Sequence, residues 1–149
     1  MSEHYAKISW SLGDSEFSYD EYPRDHEWQF PGGLTVPASA APDFLGSEDP
    51  VDPEEALVAA LSSCHMLTFL AIAAKKRLRV ASYSDNAVGH LEKNAAGQLC
   101  VTRVELRPQV TWGDGESVSD EQYRKLHASA HENCFIANSV KAEVTVIYD

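Results

Sequence analysis

Cysteine is scarce in this chain, which has only Cys64, Cys100 and Cys134 among its 149 residues. Three scattered cysteines cannot form the disulfide framework of a small secreted domain, and no CxxC pair marks a structural zinc knuckle. Positive charge is also short. Twelve Lys plus Arg against 23 Asp plus Glu give a formal net charge of −11 at pH 7. Such a surface repels phosphate backbones and anionic lipid, so nucleic-acid and membrane partners are not expected. The start, Met1-Ser2-Glu3-His4, lacks a basic region followed by an apolar run, which points to a cytoplasmic protein. Internal repeats, low-complexity tracts and phosphate-cradling glycine loops are missing too. What the chain does have is ordinary length and 44% apolar residues, enough for a single domain, 1–149, with its own core.

Residues 4–12 alternate, with Ala6, Ile8, Trp10 and Leu12 on one side and Lys7, Ser9 and Ser11 on the other, the period of a half-buried strand. Pro31, Pro37, Pro42, Pro50 and Pro53, with Gly32 and Gly33, then exclude regular structure over most of 31–53, apart from a short strand near 34–36. A connection of that length in a compact domain is more often a functional wall or lid than a linker.

The next element carries its own start signal. Asp52 can cap, Pro53 suits the first helical position, and Glu54 and Glu55 favour the positive end of the helix dipole. A helix over 53–76 follows. From Ala56 to Ala74 it has no Asp, Glu, Lys or Arg, but its many alanines and the central Ser62-Ser63-Cys64-His65 make it a helix buried in protein, between two subunits, rather than a membrane span. Strands are expected over 79–92 and 98–111, joined at Asn94-Ala95-Ala96-Gly97. In the second, Val104, Leu106 and Val110 share a face. Ser119 and Gln122 form a capping box, after which Tyr123, Leu126, Ala130 and Cys134 recur at helical spacing, and 140–148 alternates as a closing strand. The class is α+β.

Cys64 therefore lies on a rigid helix, with Cys134 as a candidate partner on another, the arrangement a thiol-based peroxidase needs. An unperturbed thiol is only ~3% thiolate at pH 7, and the helix dipole fades within the first turn, so activation falls to a nearby cation. Arg24, which precedes the proline-rich segment, is the candidate, because a guanidinium stays charged and can bridge a carboxylate and a sulfur. Glu54 is the carboxylate to orient it, yet lies ~15 Å from Cys64 along one helix. Either Glu54 serves the site of a neighbouring copy, or it only complements the dipole. Other readings stand beside these. Cys64 and Cys134 could be inert core thiols, as Cys100 is expected to be. His127, His131 and Cys134 fall on one helical face at metal-ligand spacing, with Cys64 or His65 able to complete a site. A cysteine hydrolase would use Cys64 with a histidine base.

Two stretches carry a resemblance. Asp52-Pro53-Glu54-Glu55-Ala56-Leu57-Val58-Ala59-Ala60-Leu61-Ser62-Ser63-Cys64 is similar to the cysteine helix of the OsmC/Ohr superfamily, the osmotically inducible and organic hydroperoxide resistance proteins. Ala130-His131-Glu132-Asn133-Cys134-Phe135-Ile136-Ala137-Asn138-Ser139 resembles its second-cysteine segment. The resemblance implies an OsmC-like α+β fold, antiparallel sheets around a long central cysteine-bearing helix, in an intertwined homodimer with sites at the subunit interface. It implies an organic hydroperoxide reductase; no cofactor or metal is expected. In it Cys64 is the peroxidatic thiol and becomes a sulfenic acid, Cys134 resolves it to a disulfide, Glu54 orients a catalytic arginine, and a dithiol such as a lipoyl group re-reduces the pair. Arg24 remains the candidate for that arginine, although it sits among prolyl and acidic neighbours where the family usually has a glycine-rich turn. His65-Met66 after Cys64 departs from the apolar or small residues of many members. A non-catalytic ligand-binding member of the same fold is the alternative, as is a metal-binding protein using His127, His131 and Cys134.

Overall fold

The computed structural model describes all 149 residues, which divide into two compact units, Met1–Ala56 and Leu57–Asp149. In the first, β1 (Lys7–Ser9), β2 (His26–Gln29) and β3 (Thr35–Ala38) form an antiparallel sheet in that order, with Ile8 opposite Trp28 and Trp28 opposite Val36. β3 is the short strand expected near 34–36. The strand expected over 4–12 shrinks to three residues, all exposed rather than half buried. Ile8 is 58% and Trp10 44% exposed. Trp10 leaves the ladder to donate its indole N–H to the Pro23 carbonyl at 2.7 Å. β2 has no apolar alternation, and only its pairing reveals it.

The proline-rich segment is irregular, as its composition dictates, but it is well tied. Ser39 and Ser47 hydroxyls donate to one oxygen of Asp25 at 2.8 and 2.7 Å, and these bonds hold that carboxyl below its usual range. A short 3-10 turn at Pro42–Phe44 ends at Leu45 with φ 65°, and a Cβ on Gly46 would overlap the Ala40 carbonyl.

α1 (Pro53–Lys75) begins as its sequence demands. The Asp52 carboxylate accepts from the Glu55 amide at 2.7 Å, and the Glu55 carboxylate accepts from the Asp52 amide at 3.1 Å. At its far end Arg77 turns left-handed (φ 60°), and the Leu78 amide reaches back to the Ala73 carbonyl at 2.9 Å. Beyond Ala56 the helix belongs to the second unit. There β4 (Val80–Asp85) pairs antiparallel with β7 (Pro108–Trp112), and β5 (Val88–Lys93) pairs antiparallel with β6 (Leu99–Leu106), which pairs in parallel with β8 (Glu143–Val146).

Each of the two long strands expected from the sequence is thus broken into two. The breaks have a common cause. The Asp85 carboxylate accepts the Arg107 amide at 2.7 Å and the Ser62 hydroxyl, and Pro108 has no amide to continue a ladder. The β5–β6 hairpin turns where expected, at Asn94–Gly97, with Gly97 at φ 78°.

α2 (Asp120–Asn133) has the full capping box of Ser119 and Gln122. Two clusters hold the unit together. Leu61, Val104 and Leu106 form one; Phe69, Leu126 and Ala130 form the other. Full burial of each large side chain contributes about 2 kcal/mol. Gly89 of β5 lies so close to α1 that a Cβ there would collide with Val58. Of α1 itself, only Leu61, His65, Phe69 and Ala73 are fully buried, a single stripe with spacing four. The all-round burial expected for α1 is not met within one chain: 22% of its most apolar window is buried, and Leu67 is 60% exposed.

Candidate functional site

α1 and α2 bring two cysteines together. Cys64 stands next to the buried stripe of α1 and is half-exposed. Cys134 caps the C-terminus of α2, is 1% exposed, and accepts the Ala137 amide on its sulfur at 3.4 Å. The helix thus turns Cys134 inward, as its spacing predicts. Cys64 lies close enough to influence its ionisation. Both are reduced. Burial pushes the Cys134 thiol up, and negative charge on Cys64 pushes it further, while the Ala137 and Ile136 amides oppose this. The accessible sulfur and the protonated, sealed one are therefore distinguished by position.

The other expected site residues are placed differently. Glu54 is in the first turn of α1, within the first unit. Arg24, also in the first unit, donates to the Tyr22 carbonyl at 2.6 Å and to the Tyr19 carbonyl, and its guanidinium lies 3.7 Å from the centroid of the Tyr22 ring. Both its terminal nitrogens are thus engaged by neighbouring backbone. Cys100 lies in β6 opposite Glu92.

His127 is not on a metal-binding face with His131 and Cys134. Its ring is fully buried and its Nδ1 is 2.9 Å from Nε2 of His65, whereas His131 is exposed. No group of three or more His, Cys, Asp or Glu side chains is placed to hold a metal ion. This histidine pair is what sequence reasoning missed. The signal was present: His65 falls in the Leu61–Phe69 stripe, and His127 falls between Tyr123 and Ala130 on the apolar face of α2. Burial pushes His65 down to about 4 and His127 to about 3, with the neighbouring histidines adding to the effect, so both rings are neutral at pH 7.

Residues 46–149 match the model of a family described as OsmC-like protein. Among solved structures, an OsmC-like protein of unknown function from Vibrio cholerae is 54% identical, with 99% of each chain covered and a TM-score of 0.94. An organic hydroperoxide resistance protein OsmC from Legionella pneumophila is 16% identical over 99% of this chain and 98% of its own, with a TM-score of 0.73. The organic hydroperoxide resistance protein OhrB of Bacillus subtilis is 15% identical over 95% and 94%, with a TM-score of 0.65. At those identities the last two demonstrate a shared fold alone. No curated protein matches the chain.

Proposed function

The chain belongs to the OsmC-like family, with the α+β fold of the OsmC and Ohr structures, and from that premise we propose that it is a thiol peroxidase acting on organic hydroperoxides. The closeness of Cys64 to the buried Cys134 is the observation that carries this reading. In the first step the Cys64 thiolate attacks the outer oxygen of the hydroperoxide. The O–O bond breaks, an alkoxide leaves and takes a proton to become the alcohol, and Cys64 becomes a sulfenic acid. Cys134 then loses its proton and attacks the Cys64 sulfur. The S–O bond breaks, water leaves, and a disulfide forms. A dithiol then restores both thiols by exchange.

Half-exposure suits Cys64 to meet the peroxide, and burial suits Cys134 to wait for it. Arg24 is the proposed activating cation and Glu54 its orienting carboxylate. The functional unit is a homodimer: a second copy laying its own α1 over the exposed face around Leu67 would cover the apolar surface that one chain leaves open. That arrangement also supplies Glu54 to the neighbouring site. A greasy helix surface at the thiol favours alkyl or lipid hydroperoxides over hydrogen peroxide.

The test is steady-state turnover with a panel of hydroperoxides and dithiols. Consumption of cumene or alkyl hydroperoxide coupled to oxidation of a lipoyl-type dithiol is expected. Absence of turnover with every pair, from a protein whose thiols are reduced, would leave a ligand-binding role for the fold.

A further inference from the structure

The helices that carry Cys64 and Cys134 meet at a second point. His65 follows Cys64 on α1, and its hydrogen bond to His127 ties it to α2 with the two rings within 5° of parallel and their centroids 5.2 Å apart. Both are sealed, at 1% and 0% exposure. His127 also stacks on Phe69, with a centroid distance of 4.4 Å, and meets Tyr123 edge-on at 4.5 Å. His65 and Phe69 are one helical turn apart on the same stripe, so a ring from α2 is wedged between two side chains of α1. Apolar groups could fill that space, but they would tolerate small sliding and rotation of one helix against the other. A hydrogen bond in a desolvated site has no substitute partner and does not.

The remaining ring nitrogens, His65 Nδ1 and His127 Nε2, have no partner. Whichever ring donates, the shared bond is the only side-chain hydrogen bond either imidazole makes, and losing it would strand two further buried polar atoms. Since Cys64 is the residue before His65, a rotation of α1 that parts the rings also carries the Cys64 sulfur.

We propose that His65 and His127 are a positioning pair, holding α1 and α2 in the register that keeps Cys64 beside Cys134. The role rests on the disulfide chemistry assigned above to those thiols, but not on peroxide as the oxidant.

The test separates the bond from the rings. In a Cys100→Ser background, the two remaining thiols are closed with diamide, which takes up two electrons and two protons as the disulfide forms. The rate is read by free-thiol count, with circular dichroism recording the fold. His65→Gln places an amide where Nε2 stands, and His127→Asn places one where Nδ1 stands; both are expected within about twofold of the parent rate. His65→Met and His127→Phe keep bulk and lose the bond, and closure about tenfold slower is expected in them with the fold intact. Parent-like closure in the Met and Phe variants would overturn the proposal. So would equal slowing in the amide variants, or loss of the fold in both bond-breaking variants, since the rings would then serve the core as a whole. Normal closure by diamide without any hydroperoxide consumption would instead remove the peroxidase reading and leave the positioning role standing.

Discussion

The same two helices approach twice, at a pair of cysteines and at a pair of hydrogen-bonded imidazoles, and the two junctions differ chiefly in access to solvent. One sulfur is half-open and its partner sealed, whereas both imidazoles are sealed. Partial exposure would let the first junction meet an oxidant under the proposed function, while complete burial keeps the second neutral. Reactive-looking residue types adjacent in sequence, Cys64 and His65, thus point to opposite tasks because successive helical positions face about 100° apart.

The largest effect that would break this comparison is at the open sulfur. Cys64→Ser is expected to reduce hydroperoxide turnover to background, and retained turnover measured by peroxide consumption would assign the chemistry elsewhere. Next comes Cys134→Ser, which should still react once but then accumulate sulfinic acid at Cys64, seen as added oxygen by intact mass, because nothing traps the sulfenic acid. Arg24→Lys should lower kcat/KM by about a hundredfold if the guanidinium fork stabilises the reacting thiolate and peroxide. An unchanged value would confine Arg24 to its bonds with Tyr19 and Tyr22.

At the sealed junction the effect is on acid stability. Both folded-state values, about 4 for His65 and about 3 for His127, lie below the ordinary 6.5. Stability from keeping the rings neutral is therefore complete above pH 6.5 and declines as pH falls from there toward 4, because the unfolded chain binds the protons first. Unfolding midpoints measured from pH 7 to pH 4 should fall steeply in the parent protein and less steeply in His127→Asn. The smallest expected effect is at Gly89→Ala, where the new methyl group meets Val58 and costs about 1–3 kcal/mol by denaturant unfolding.

Local signals carried much of this architecture. The Asp52-Pro53-Glu54-Glu55 start, the Ser119–Gln122 box, the Asn94–Gly97 turn and the inward side of Cys134 all depend on residues a few positions apart, and all stand as the sequence implies. The closeness of Cys64 to Cys134 was legible as a candidate pairing because one thiol sits in the middle of the cysteine helix and the spacing of α2 turns the other inward. What escaped was set by distant partners. β2 exists through pairing rather than pattern. The bends at residues 86–87 and at 107 depend on Asp85 gripping the Arg107 amide and the Ser62 hydroxyl, which alternation cannot reveal. His127 passed as a ligand or surface residue because its burial requires His65 and Phe69 from another helix, 62 and 58 positions earlier.

Peptide mapping by mass spectrometry, after one equivalent of cumene hydroperoxide is added to the fully reduced protein, bears most directly on the thiol assignment. A Cys64–Cys134 disulfide with Cys100 still free is the expected product. Unconsumed peroxide with all three thiols intact would contradict it.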